Sequence, residues 1–190
     1  MTDAIFLRIA KTAILSKFDK NYAFDKNALF KQYPFLKNSG AVFVTLKYKH
    51  DLRGCIGSIV AHRELFDDIV HNALSAAFND SRFNSLNIDE LSDLNLEVSV
   101  LSEAKILEYK DYDDLVQKLQ PKIDGLILKY NIYHGTFLPQ VWEQLPTPKL
   151  FLQHLSMKAG ATPSIYNEHP TIYRYSVEHI EETFDAILPL

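Results

Sequence analysis

Apolar residues recur at helical spacing over the opening segment, from Ala4 to about Phe18. Ile5, Ile9 and Ala13 form one line there, and Phe6, Ala10 and Ile14 a second. Asn27 to Tyr33 reads as a short helix that Pro34 ends. The pattern then changes period. Ala41 to Tyr48 is rich in β-branched and aromatic residues and predicts a strand. Lys49-His50-Asp51 reads as a turn, and Leu52 to Val60 as the returning strand of a hairpin. Glu64 to Asn79 is the clearest helix, with Leu65, Ile69, Ala73, Ala76 and Ala77 on one face.

Further on, Asn87 and Glu90 are spaced as a capping box before a short helix. Leu94 to Ser102 alternates so that Leu94, Leu96, Val98 and Val100 share one face of a strand, with Glu97 on the polar side. Asp111 caps a helix running to Gln120, and Pro121 stops it. Asp124-Gly125 is a turn, and Leu126 to Tyr130 a strand. Thr147 and Pro148 start a last helix that Gly160 ends, and Ile172 to Val177 is a late strand. Helices and strands mix without regular βαβ spacing. The expected fold is therefore α+β, a mixed or antiparallel sheet flanked by helices, with a larger and a smaller subdomain. The first helices and the segment from Tyr112 to Gln120 are candidates for the smaller lobe. No Pro/Ser-rich linker marks a boundary, so residues 1–190 are taken as one domain.

Composition narrows the classes. A chain of 190 residues is long enough for a core without disulfides or metals. A net charge of −4 argues against a general nucleic-acid binder, which would present a basic face. No apolar run reaches membrane-span length, and Met1-Thr2-Asp3-Ala4-Ile5 does not start a signal peptide. One cysteine cannot form an intrachain disulfide, which fits a reducing compartment. A cytoplasmic protein is expected. No CxxC, HExxH or close His/Asp cluster occurs, and neither a GxxxxGK[ST] nor a GxGxxG run, so no metal or cofactor is expected.

Candidate chemistry centres on that cysteine. Cys55 sits in Leu52-Arg53-Gly54-Cys55-Ile56-Gly57, a strand interrupted by two glycines. Strand glycine marks a bulge or a close approach by a ligand or another backbone, which makes Gly54 and Gly57 candidate ligand contacts. Strict alternation places Arg53 and Cys55 on one face, where a guanidinium favours the thiolate. Against this stands the common role of free cysteine as a small buried hydrophobe. A nucleophilic cysteine also wants a base, and His50, His62, His71 and His134 carry no motif that selects one. Asp80 and Arg82 form a second candidate pair, either a surface ion pair or a binder of an anionic ligand. Trp142 is read as a core anchor, and Lys158 as a complement to its helix dipole.

Several runs together resemble one family. They are Leu52-Arg53-Gly54-Cys55-Ile56-Gly57, Asn72-Ala73 with Ala76-Ala77-Phe78, Asp80-Ser81-Arg82-Phe83, Leu96-Glu97-Val98-Ser99-Val100-Leu101, Gly125-Leu126-Ile127, Phe137-Leu138-Pro139-Gln140-Val141 and Lys158-Ala159-Gly160. The chain is similar over about Ser39 to Tyr175 to the AMMECR domain family, whose prokaryotic members are called AmmeMemoRadiSam system protein A. The resemblance implies an α+β fold with two subdomains and a site around Arg53, Gly54 and Cys55, with Asp80 and Arg82 nearby. It also implies partners, a Memo-like protein and a radical-SAM protein. Many bacterial members carry a cysteine ahead of the Lys-Ala-Gly run, where Ser156 stands here, which counts against a two-thiol mechanism. Three functional readings follow: a substrate- or partner-binding component of a modification system, an enzyme with Cys55 as nucleophile and Arg53 as thiolate stabiliser, or a non-catalytic scaffold.

Overall fold

The computed structural model describes residues 3–190, so Met1 and Thr2, on which the N-terminal reading partly rests, lie outside the described residues. The chain divides into two compact units, one formed by residues 1–101 with 178–190 and the other by residues 102–177.

The first unit opens with helices α1 (Ile5–Leu15) and α2 (Lys26–Gln32). Strands β1 (Ser39–Gly40), β2 (Val42–Tyr48), β3 (Asp51–Gly57) and β4 (Arg63–Glu64) follow, then helix α3 (Leu65–Phe78) and strand β5 (Leu94–Leu101). The second unit holds β6 (Lys105–Ile106), α4 (Tyr112–Lys118), β7 (Gly125–Tyr130), β8 (Tyr133–Phe137), α5 (Pro148–Lys158) and β9 (Thr171–Tyr175). β10 (Val177–Thr183) returns to the first unit. The α+β expectation holds. The lobe expected from the first helices and the 112–120 segment does not form: α1 and α2 belong to the first unit and α4 to the second.

In the first unit β2 pairs antiparallel with both β3 and β5, and the sheet order is β10-β5-β2-β3. Lys49 and His50 both take positive φ, which lets a two-residue turn close the β2–β3 hairpin with the right-handed twist of its strands. One face of the sheet carries Val42, Val44, Leu46, Leu96 and Val98, which form a single buried core with Ile69, Ala73 and Ala76 of α3 and Ile9 and Ala13 of α1. The alternation read along β5 and the apolar stripe read along α3 are thus the two sides of this core, each large side chain contributing about 1.5–3 kcal/mol by burial.

Between β2 and α3 runs a buried polar seam. Asp68, fully buried, accepts hydrogen bonds from the Val42 N–H (2.9 Å), Ser58 Oγ (2.7 Å) and Asn72 Nδ2 (3.1 Å). Arg63 Nε lies 3.2 Å from the same carboxylate. These bonds fix the helix against the sheet in one register, since a carboxylate left without them would be strongly penalised.

In the second unit the sheet order is β6-β9-β7-β8, all antiparallel. Trp142 anchors its core as read from the sequence: it stacks on Phe151 at 3.9 Å and donates Nε1–H to the Asp124 carbonyl (2.7 Å). Ser156 is fully buried and donates to the Gln153 carbonyl.

Candidate functional site

β3 lies at the edge of its sheet, and its pairing with β2 is irregular. Leu46 faces Gly54, but the next partner of β2, Lys47, faces Leu52. Arg53 is the extra residue of a β-bulge, so the alternation that would align it with Cys55 breaks between them. The Arg53 guanidinium goes instead to Glu90, with Nε to Oε1 at 2.7 Å and Nη2 to Oε2 at 3.0 Å. Glu90 Oε2 also accepts the Asn87 N–H at 2.8 Å and so completes the capping box expected there. This bidentate pair holds the Glu90 carboxyl below its ordinary pKa. Arg53 Nη1 is buried with no partner.

The guanidinium beside Cys55 belongs to Arg82. Asp80, in the turn after α3, accepts the Cys55 N–H at 2.9 Å. It also accepts Arg82 Nε at 3.0 Å and Nη2 at 2.7 Å. Arg82 Nη2 in turn donates to the Cys55 carbonyl at 3.3 Å. The outward backbone donor and acceptor of Cys55 are therefore both satisfied by one carboxylate–guanidinium pair, which stands in for a neighbouring strand at that residue. The hydrogen bonds from Arg82, helped by the Cys55 N–H, hold the Asp80 carboxyl well below the usual carboxylate range. A free surface ion pair is not what this is: Asp80 is only 5% exposed.

The Cys55 thiol, half-buried, faces Thr45 across the strands, and Thr45 donates Oγ1–H to Sγ at 3.2 Å. Thr45 in turn faces Glu97 on β5. Glu97, read as solvent-facing, is buried, accepting Lys47 Nζ at 3.0 Å and Ser99 Oγ at 2.9 Å. Burial pushes the thiol pKa up; the Thr45 hydrogen bond and Arg82 oppose this, while Glu97 and Asp80 add to it. Two expectations need correcting here. Arg53 is not the residue that acts on the thiol, because its charge is engaged by Glu90. The thiolate is disfavoured rather than favoured, because desolvation outweighs the single cation nearby. Among the described residues no histidine hydrogen-bonds Cys55; His62 is engaged with the Val60 carbonyl and Arg63.

The glycines are explained by packing. A Cβ on Gly54 would fall inside contact with the Ala76 carbonyl oxygen, so α3 packs its backbone directly on β3. A Cβ on Gly57 would meet the Phe43 ring. The close approaches that the glycines signalled come from a helix backbone and an aromatic ring rather than from a ligand.

The structure thus brings together Cys55, Asp80 and Arg82, and sets Arg53 beside Arg82 along a cleft of about 630 Å³ lined by Arg53, Arg82, Phe83, Asn84, Ser85 and Glu90. The Phe83 ring lies under both guanidiniums, 6.0 Å from Arg53 Cζ and 5.4 Å from Arg82 Cζ. Among the described residues no three His, Cys, Asp or Glu side chains converge as metal ligands do.

The AMMECR1 family model matches residues 7–180. The chain belongs to the AMMECR1 family. A Methanocella arvoryzae protein is 34% identical to it over 179 residues, covering 91% of this chain and 83% of its own length. A Methanocaldococcus jannaschii protein is 32% identical over 172 residues, covering 86% and 84%. The crystal structure of an uncharacterised protein from Pyrococcus horikoshii superposes with a TM-score of 0.78 at 29% identity, covering 94% of this chain and 90% of that one. No helix among the described residues is long and apolar enough to cross a membrane.

Proposed function

We propose that this AMMECR1-family chain is a binding component that receives an acidic group at the Arg53–Arg82 cleft, and that it works in the cytoplasm with a Memo-like and a radical-SAM protein in one modification system. The observation that carries this reading is the state of the two arginines. Each guanidinium is held along one edge by a single carboxylate, Arg53 by Glu90 and Arg82 by Asp80. Little ordering remains to be done on binding, which lowers the cost of recognition. Arg82 is half exposed, and Arg53 Nη1 is a buried donor still without an acceptor. Hydroxyl and amide groups of Ser81, Asn84 and Ser85 line the same cleft.

The nucleophile reading is weaker, because the thiol pKa is raised and, among the described residues, no base is bonded to it. The scaffold reading has one observation of its own: the Asp80–Arg82 pair also ties the edge of β3 to the turn after α3.

The test is affinity capture from native cells with the tagged chain and with a Ser81→Glu/Asn84→Glu variant. Both positions are exposed on the cleft and leave the Asp80 and Glu90 pairs in place. The binding reading expects the Memo-like and radical-SAM proteins with the wild type and their loss with the variant. Equal recovery by both would move the contact away from the cleft, and recovery by neither would remove the partnership.

A further inference from the structure

The second unit holds a separate cleft of about 340 Å³, lined by Ser102, Glu103, Lys105, Ile106, Asp124, Arg174, Tyr175 and Ser176, in the range that takes a small molecule. Its charges come in two pairs. Lys105 on β6 and Arg174 on β9 are direct cross-strand partners, so two cations project side by side from one face of the sheet. Lys105 makes no ion pair among the described residues. Arg174 Nη1 donates to the Lys118 carbonyl at 3.4 Å and stands 3.9 Å from Asp124 Oδ2, too far for a hydrogen bond. The two anions are Glu103 and Asp124.

Asp124 is the unusual member. Its side chain is only 5% exposed, yet the carboxylate has one hydrogen bond, from the Gln120 N–H to Oδ2 at 2.7 Å. Oδ1 has no donor. Burial pushes its carboxyl up from the ordinary value, and the Gln120 N–H and, less, Arg174 offset this only in part. Oδ1 is reached by solvent from the cleft, which leaves it an open acceptor for a cationic donor there.

We propose that this cleft binds a small zwitterion of the α-amino-acid type, its ammonium on Asp124 Oδ1 with Glu103 beside it, and its carboxylate on Lys105 and Arg174. Two cations facing two anions do not suit a simple anion, which would meet both carboxylates, nor a simple amine, which would meet both cations. A zwitterion matches both pairs.

The experiment is a titration of the full chain with L-alanine, followed by amide shifts in ¹H–¹⁵N spectra, with propionate, isopropylamine and L-lactate as probes that each lack the ammonium or the carboxylate. L-Alanine should shift the amides of residues 102–106, 124 and 174–176, and the three other probes should bind about tenfold more weakly or worse. Asp124→Asn keeps an oxygen for the Gln120 N–H, so the loop should hold while alanine affinity falls about tenfold. Lys105→Gln, at an exposed position, should weaken alanine binding without any effect on folding. Propionate or lactate binding as tightly as alanine would overturn the zwitterion. Absence of shifts at these residues at millimolar alanine, or alanine affinity unchanged in both variants, would overturn the site.

Discussion

The Asp80 carboxylate accepts the backbone N–H of Cys55 at 2.9 Å, while its ion-pair partner Arg82 donates to the carbonyl of the same residue. Twenty-five positions apart in sequence, the two residues are joined as neighbouring strands would be. At Cys55 the edge of β3 is closed by side chains rather than by a further strand.

Removing the charge of Asp80 should loosen that edge. Asp80→Asn retains an acceptor for Cys55 but loses the bidentate pair with Arg82, and is expected to lower stability by about 1–3 kcal/mol. The pH dependence has a definite sign. The folded-state pKa of Asp80 lies below its unfolded value of about 3.9, so its stabilisation is complete above that value and is lost as pH falls through the folded pKa. Glu90, lowered by Arg53, acts in the same direction. Denaturation midpoints measured from neutral to strongly acid pH should show wild type losing its margin over Asp80→Asn in the acid range. A constant margin across that range would show that the carboxylate contributes nothing specific.

The two glycines of β3 should differ in tolerance. The obstacle at Gly54 is the Ala76 carbonyl, part of a helix backbone that cannot turn aside. The obstacle at Gly57 is the Phe43 side chain, which can. Gly54→Ala is expected to cost about 2–3 kcal/mol or more, and Gly57→Ala clearly less. Chemical denaturation of the two variants checks the order, and equal costs would contradict it.

Asp67 and Asp68 are adjacent on α3 but sit in different surroundings. Asp67 pairs with Lys26 at a site where both side chains are more than a third exposed, whereas Asp68 is fully buried and holds Val42, Ser58 and Asn72. Asp68→Ala should destabilise by about 3–5 kcal/mol, since it strands several buried donors, and Asp67→Ala by less than about 1 kcal/mol. Thermal unfolding of the pair separates the two.

Much of this was legible from residue pattern, and the failures have physical causes. The α3 face, the β5 alternation and the Asn87–Glu90 cap are local regularities, and each forms where the pattern placed it. β10 was missed because Val177-Glu178-His179-Ile180-Glu181-Glu182-Thr183 is exposed along most of its length and has no apolar alternation. β8 was missed because Tyr133-His134-Gly135-Thr136-Phe137 is short and broken by glycine. The candidate residues Arg53, Cys55, Asp80 and Arg82 were visible, but the pairing was read with the wrong arginine. Period-two alternation holds only for an unbroken ladder, and the bulge at Arg53 breaks it. Gly54 was the available signal, since strand glycine and bulges go together. Ser99, two residues along the same strand, was a local hint of a partner for Glu97, but its ion-pair partner Lys47 is brought to it only by the sheet.

The thiol itself gives the last expectation. Burial raises the Cys55 pKa, and the influences opposing it are the Thr45 hydroxyl and Arg82, not Arg53. Alkylation of the folded protein should therefore be slow at neutral pH, with an inflection above the ordinary thiol value of about 8.5. Thr45→Val removes the donor on Sγ, and Arg82→Met removes the nearby positive charge; each should move the inflection to still higher pH. Arg53→Met should leave it in place, because Glu90 neutralises that guanidinium at 2.7 Å. The measurement is the pH dependence of iodoacetamide labelling for the four proteins under native conditions. An inflection below the ordinary value in wild type, or one that moves with Arg53 and not with Arg82, would restore Arg53 as the thiolate stabiliser and bring back Cys55 as a nucleophile.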